Sequence, residues 1–121
     1  MTEPYEDPEH IDKCIYACIQ RSKQLRNDYR EALREATEAE VEYNIAYASR
    51  RIEIRNDPPP EIKITEGSLE DLALADTEDL YRDYRLKKAK ADAMKAAMGQ
   101  VRGELDGFRS LAANHRELGQ G

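Results

Sequence analysis

The sequence predicts an all-α protein, a long antiparallel helical hairpin of the coiled-coil kind. Small or apolar residues recur at alternating steps of three and four between positions 11 and 50 and again between 80 and 115. Positions 58 to 60, between the two stretches, are all proline, and proline does not continue a helix. Charged residues make up 36% of the chain and aromatic residues 7%, a composition typical of helical bundles.

The first helix is predicted over residues 7–56, after a start, 1–6, that is expected to be disordered. Asp7 is suited to the N-cap, Pro8 to the first helical position and Glu9 to the first turn. The end is predicted near Asn56, because the residue before Pro58 is driven out of the α region. The apolar stripe drifts at its end toward Tyr47 and Ile54 and consists of Ile11, Ile15, Cys18, Ser22, Leu25, Tyr29, Ala32, Ala36, Ala39, Tyr43, Ala46 and Arg50.

A proline-rich connection is predicted over 57–68, a second helix over 69–118 and a tail over 119–121. Ser68 followed by Asp71 resembles a capping box, and Thr77 offers a second start about two turns later, so this helix is expected to begin with a separate short turn. Its stripe consists of Leu80, Tyr84, Lys87, Ala91, Met94, Met98, Val101, Leu105, Phe108, Ala112 and His115.

Charge favours the antiparallel pairing independently of the apolar stripes. Residues 31–42 contain five glutamates and one arginine, net −4, whereas residues 82–90 contain five basic residues and one aspartate, net +4. A hairpin that closes at the prolines places these segments side by side, with Tyr43 near Tyr84 and Tyr47 near Leu80. Two helices with one stripe each bury only a thin seam, so pairing into a four-helix arrangement or larger homo-oligomer is expected.

Three glycines form the first candidate interface. Gly99, Gly103 and Gly107 recur every fourth residue inside the second helix, where each costs about 1 kcal/mol relative to Ala. Relative to the stripe they fall on the flank and back of the helix. They indicate either a close-approach surface for another helix or a weakly stable, solvated stretch.

A second candidate surface lies at the hairpin tip. It combines aromatic and basic side chains, namely Tyr43, Tyr47, Arg50, Arg51, Tyr81, Arg82, Tyr84 and Arg85. The tyrosines can pack the seam while their hydroxyls reach water. Alternatively, aromatics beside arginines suit a protein partner, a phosphate or a stacked base, and the sequence does not choose among these ligands.

No metal, cofactor or catalytic site is predicted. His10, Cys14 and Cys18 follow one another at steps of four, and His115 comes near them in an antiparallel hairpin. We interpret the two cysteines as reduced packing residues. The sequence contains no phosphate loop, nucleophile elbow or catalytic triad pattern, so we expect a protein that is not an enzyme.

Charge and hydropathy restrict the classes of partner and the cellular location that we expect. The net charge of −6 opposes direct binding of nucleic acid, whose affinity depends on neutralising phosphates. No apolar run approaches the roughly 20 residues of a membrane span, and the acidic start differs from a secretory signal. We therefore expect a soluble intracellular protein.

A tyrosine-bearing helix and a break containing proline are followed by the short runs ITEG at 64–67, LALAD at 72–76, YR at 84–85, GEL at 103–105 and REL at 116–118. This order of features resembles a group of small helical proteins encoded by tailed bacteriophages. Genes for such proteins lie among early genes, near those for single-strand annealing and single-strand-binding proteins. The resemblance spans about residues 43–118 and implies a phage origin and early expression in the bacterial host cytoplasm, without implying a mechanism.

These observations lead to one functional expectation and two alternatives. We expect a non-enzymatic phage accessory protein that binds a phage or host protein, either as an adaptor in DNA recombination or replication or as an inhibitor of a host factor. One alternative is an oligomer that captures a nucleotide signal and so counters host defence. The other is a structural or assembly protein of the virion.

Overall fold

The computed structural model describes residues 7–120, with side chains described for 7–118, and this part of the chain contains three α-helices. They are α1 (Pro8–Asn56), α2 (Glu66–Asp76) and α3 (Glu78–Gln120). The predicted all-α class is confirmed. The expectation of a disordered start falls on residues 1–6, outside the described residues. None of the helices in the described part is long and apolar enough to cross a membrane.

The ends of α1 follow from local hydrogen bonds. The Asp7 carboxylate accepts a hydrogen bond from the Glu9 backbone N–H at 3.1 Å, and the Asp7 carbonyl accepts one from Ile11 N–H at 3.0 Å. Asp7 therefore caps the helix and Pro8 is its first residue, where a proline needs no N–H partner. The last turn closes with Asp57 N–H donating to the Glu53 carbonyl at 2.9 Å, just before the prolines.

The second helix predicted over 69–118 is divided in the structure into α2 and α3, and the break falls at Thr77, where the sequence predicted a second start. The capping box is also three residues earlier than predicted. Ser68 N–H donates to Thr65 Oγ1 at 3.1 Å, and Thr65 N–H donates to Ser68 Oγ at 2.8 Å. Thr65 has the extended backbone that an N-cap requires. As a result, the connection covers only 57–65.

Thr77 separates α2 from α3 and satisfies its own polar groups. Its hydroxyl donates to the Ala73 carbonyl at 2.7 Å, and its N–H donates to the Leu74 carbonyl at 3.3 Å. The carbonyl of the same residue accepts from Tyr81 N–H at 3.0 Å, which starts α3. The break is thus one buried residue. At the other end α3 continues to Gln120, so positions 119 and 120 of the predicted tail are helical.

The chain divides into two compact units, which we call the terminal unit (Met1–Arg30 and Asp92–Gly121) and the central unit (Glu31–Ala91). Within the central unit, a core cluster joins the end of α1 to α2. Ile54, Leu69 and Ala73 are almost fully buried there, and Tyr47, Ile64 and Leu72 pack against them. The drift of the α1 stripe toward Tyr47 and Ile54 is therefore confirmed, and α2 exists because it covers this end of α1.

The terminal unit pairs the start of α1 with the C-terminal part of α3. Ile11, Cys18 and Val101 are buried in it, and the Arg21 guanidinium lies 3.4 Å from the Glu104 carboxylate. A shallow groove of about 450 Å³ is lined by Pro8, Asp12, Ile15, Arg109, Ala112, His115 and Arg116. Because the earliest residues of α1 lie beside the latest of α3, the two segments run antiparallel within this unit.

All residues of both predicted stripes are buried or half-buried. In the central unit, the buried residues of these stripes are all alanines, namely Ala32, Ala36, Ala39 and Ala91. The 4-3 periodicity therefore identified the less exposed side of α1 and α3 correctly, residue by residue.

Candidate interaction surfaces

The acidic and basic segments of the central unit lie close together, as the charge pattern predicted. Lys87 Nζ lies 3.0 Å from the Asp83 carboxylate. That hydrogen bond raises the pKa of Lys87, and the negative charges of Glu35 and Glu42 add to the effect. Acidic residues of the 31–42 segment therefore contribute to the electrostatic environment of Lys87 in the basic segment.

The tip tyrosines form one aromatic cluster in the central unit. The Tyr43 ring centroid is 5.2 Å from that of Tyr81 and 6.1 Å from that of Tyr47. Tyr84 contacts Tyr81, with centroids 6.4 Å apart. The sequence predicted Tyr84 near Tyr43, and the α3 ring in contact with Tyr43 belongs to Tyr81, almost one helical turn earlier, with the two ring planes tilted by 55°. Burial raises the pKa of Tyr43, whereas Tyr81 of the same cluster is 44% exposed.

Three of the four tip arginines donate hydrogen bonds to carboxylates of the same chain. Arg50 donates to Asp76 at 2.6 Å and Glu53 at 3.0 Å, Arg51 to Glu66 at 3.1 Å, and Arg82 to Glu78 at 2.8 Å. The hydrogen bond to Asp76 raises the pKa of Arg50. The Arg51 guanidinium also lies 5.7 Å from the Tyr47 ring centroid, a cation–π distance. Phosphate binding at the tip would have to displace carboxylates, so the observed pairing favours a role in holding α2 against α1.

The three glycines of α3 lie on an exposed face of the terminal unit. Gly99, Gly103 and Gly107 are all exposed, and a Cβ at any of them would meet nothing within 4 Å. Gly107 also borders a shallow apolar groove of about 320 Å³ beside Phe108 and Leu111. Packing within the described chain therefore does not require these glycines, and the open face leaves room for another helix.

Of the four side chains that the sequence suggested as metal ligands, Cys14 and His10 are in contact. Cys14 Sγ lies 3.5 Å from His10 Nε2, whereas Cys18 is 4% exposed. Burial raises the pKa of the Cys18 thiol, and the charge of Glu104 adds to this. Across residues 7–118, no three or more His, Cys, Asp or Glu side chains are grouped as metal ligands. His115 instead lines the groove of the terminal unit.

Sequence reasoning missed an uncovered apolar line on α1, which we call the outer stripe. It consists of Val41, Ile45, Ala48 and Ile52, spaced by four, three and four residues. The three large side chains are 51%, 62% and 59% exposed, respectively. At about 100° per residue, the outer stripe is on the opposite side of the helix from buried Ala36 and Ala39. A second search for the 4-3 period over the same residues would have found it.

A shallow groove runs beside the outer stripe in the central unit. It has a volume of about 580 Å³ and is lined by Thr37, Glu38, Val41, Glu42, Ile45, Ala46 and Leu80. The lining combines four apolar side chains with two glutamates, and helix-binding grooves are commonly apolar in this way.

Comparison with family models, curated proteins and solved structures finds no match to this chain.

Proposed function

We propose that the chain is a non-enzymatic protein that acts by helix-mediated association. In this proposal the helical hairpin pairs with a second copy, in a four-helix or larger arrangement, and binds a phage or host protein on a remaining helix face. The outer stripe carries the proposal, because Val41, Ile45 and Ile52 are each more than half exposed. Single exposed apolar residues are ordinary, but a line of them at the helix-packing period is typical of an interface.

The sequence resemblance supplies the proposed setting. A phage protein of this kind would work in the bacterial host cytoplasm, as an adaptor in DNA recombination or replication or as an inhibitor of a host factor. The pairing of Arg50, Arg51 and Arg82 with carboxylates of the same chain and the net charge of −6 support a protein partner over a nucleotide or nucleic acid, because phosphate binding depends on available cations.

We propose the glycine face of α3 as the surface for the unlike partner. Gly103 is exposed with open space around it, so a partner helix could approach the backbone closely. Changing Gly103→Leu places a branched side chain in this space without a clash inside the chain. Partner binding should therefore fall while folding is preserved.

The test is capture of the tagged protein from a phage-infected bacterial lysate, with mass spectrometry of what is retained. The control is Arg102→Leu, which places the same side chain at an exposed position of the same helix, about 100° around the helix axis from Gly103. One partner retained near stoichiometrically by the parent and by the control, but lost from Gly103→Leu, would support the glycine face. Equal retention of the partner by both variants would contradict the proposal that the glycine face binds it. Recovery in purified particles instead would assign the chain to the virion.

A further inference from the structure

We propose that the outer stripe is a self-recognition surface, on which α1 of one copy packs antiparallel against α1 of a second copy. This inference rests on the proposed function, association through helices, and names the surface, the occupant and the orientation. It concerns the central unit alone, because the outer stripe lies within residues 41–52.

The geometry of one helix defines the surface. At about 100° per residue, the four outer-stripe residues fall within an arc of about 60°. The buried stripe of the same helix, including Ala32, Ala36 and Ala39, is centred about 180° away. The α1 segment of the central unit thus carries two apolar seams on opposite sides, and the described residues cover only one.

Charge at the two ends of the outer stripe selects the occupant. Continuing the same 4-3 register outward reaches Glu38, three residues before Val41, and Arg55, three residues after Ile52. The stripe is therefore apolar in the middle, acidic at its N-terminal end and basic at its C-terminal end. The best complement to this pattern is the same pattern reversed.

An antiparallel second copy supplies that reversal in one register. Val41 of each copy then lies against Ile52 of the other, and Ile45 lies against Ala48. At both ends, Glu38 of one copy lies against Arg55 of the other. These are the layers of an antiparallel two-stranded seam, with the twofold axis passing between positions 46 and 47. A parallel pair would instead place Glu38 beside Glu38 and Arg55 beside Arg55, which repel.

The charged ends are accessible for this pairing. Glu38 bonds Arg34 at 2.6 Å with 65% of its side chain exposed, and Arg55 bonds Glu66 at 3.0 Å with 52% exposed. Such exposed ion pairs are weak and exchange partners readily. The apolar groove beside Val41 and Ile45 has room for side chains of the second copy.

The first experiment measures mass by sedimentation equilibrium for the parent, Ile45→Glu and Leu86→Glu. Leu86 is the matched control, since it is 66% exposed in the same unit but lies outside the outer stripe. We expect Ile45→Glu to raise the dissociation constant on the order of 100-fold, because symmetry places each charge in the interface twice. Leu86→Glu should associate like the parent. Helix content by circular dichroism checks that both variants fold.

The outcomes separate this inference from the proposed function. A parent that associates, together with Ile45→Glu of unchanged affinity, would overturn the outer stripe and leave association standing. A parent that stays monomeric at all concentrations while still capturing an unlike partner would overturn self-recognition, including the pairing of two copies in the proposed function, and leave binding of an unlike partner standing. A monomer that captures nothing would overturn both.

A second experiment tests the orientation in the full chain carrying Cys14→Ser and Cys18→Ala. Ile45→Cys and Ala48→Cys are placed on separately tagged copies, which are mixed and mildly oxidised. Antiparallel pairing should cross-link position 45 to position 48 preferentially, because those Cα atoms meet within disulfide range. Preferential links of 45 to 45 and 48 to 48 would indicate a parallel pair and overturn the proposed register.

Discussion

Replacing Gly99, Gly103 and Gly107 together by alanine should stabilise the protein. No described residue has a positive φ, so these glycines adopt ordinary helical backbone that alanine also adopts. A Cβ at any of the three meets nothing within 4 Å, so no clash opposes the change. The gain in helix propensity is about 1 kcal/mol per site, hence about 2–3 kcal/mol in the free energy of unfolding.

The assay is urea unfolding followed by circular dichroism, on the triple variant and on each single variant. Ala96→Gly, at an exposed position of the same helix, is the reverse control and should lower the free energy of unfolding by about 1 kcal/mol. A triple variant no more stable than the parent would refute the reasoning, because α3 could not then be an uninterrupted, solvated helix at these positions. A more stable variant that loses its partner would show that contact, rather than folding, explains the glycines.

Further substitutions test the core, the cap and the thiols. Ile54→Ala, at a position 2% exposed, should lower the free energy of unfolding by about 2–4 kcal/mol, and a loss below 1 kcal/mol in urea titration would contradict the central core. Ala39→Leu should cost about 1–3 kcal/mol by overpacking, visible as a lower melting temperature. Thr65→Ala should remove the cap of α2 at a cost of about 1 kcal/mol, which Thr65→Ser should largely restore. Iodoacetamide should alkylate Cys14 before Cys18, because burial covers the Cys18 thiol and raises its pKa; equal rates of labelling by mass spectrometry would argue against this packing.

Periodicity and local chemistry were sufficient to predict the ends and the buried side of α1. The cap at Asp7, the end near Asn56 and the buried stripe all follow from residues within one or two turns of each other. Local signals were insufficient for α2, where Thr65, Ser68 and Thr77 all offer plausible caps. The choice among them depends on Leu69 and Ala73 packing against Ile54, and that contact joins residues about fifteen or more positions apart.

The candidate surfaces show the same limit. Spacing placed Gly103 on an outward face, but only the structure shows the open space around it. Arginines at the tip looked available in the sequence, whereas Arg50 and Arg51 bond carboxylates of α2. The outer stripe was missed because two apolar stripes of equal period share one helix, and periodicity does not say which of them the chain itself covers.

The alanine-lined part of the buried stripe has a consequence for which substitutions the protein tolerates. Small side chains at Ala32, Ala36 and Ala39 let two helices approach toward the short end of the usual interaxial range, about 8 Å. At such positions the volume of the side chain limits which substitutions are tolerated, so we expect serine to be tolerated and leucine to be destabilising. Positions at a surface for a second copy, such as Ile45, discriminate by polarity, so leucine is accepted and glutamate is rejected. All single substitutions could be made and selected for activity in cells. Positions that lose only large residues would then be assigned to internal contacts, and positions that lose only polar or charged residues to intermolecular contacts.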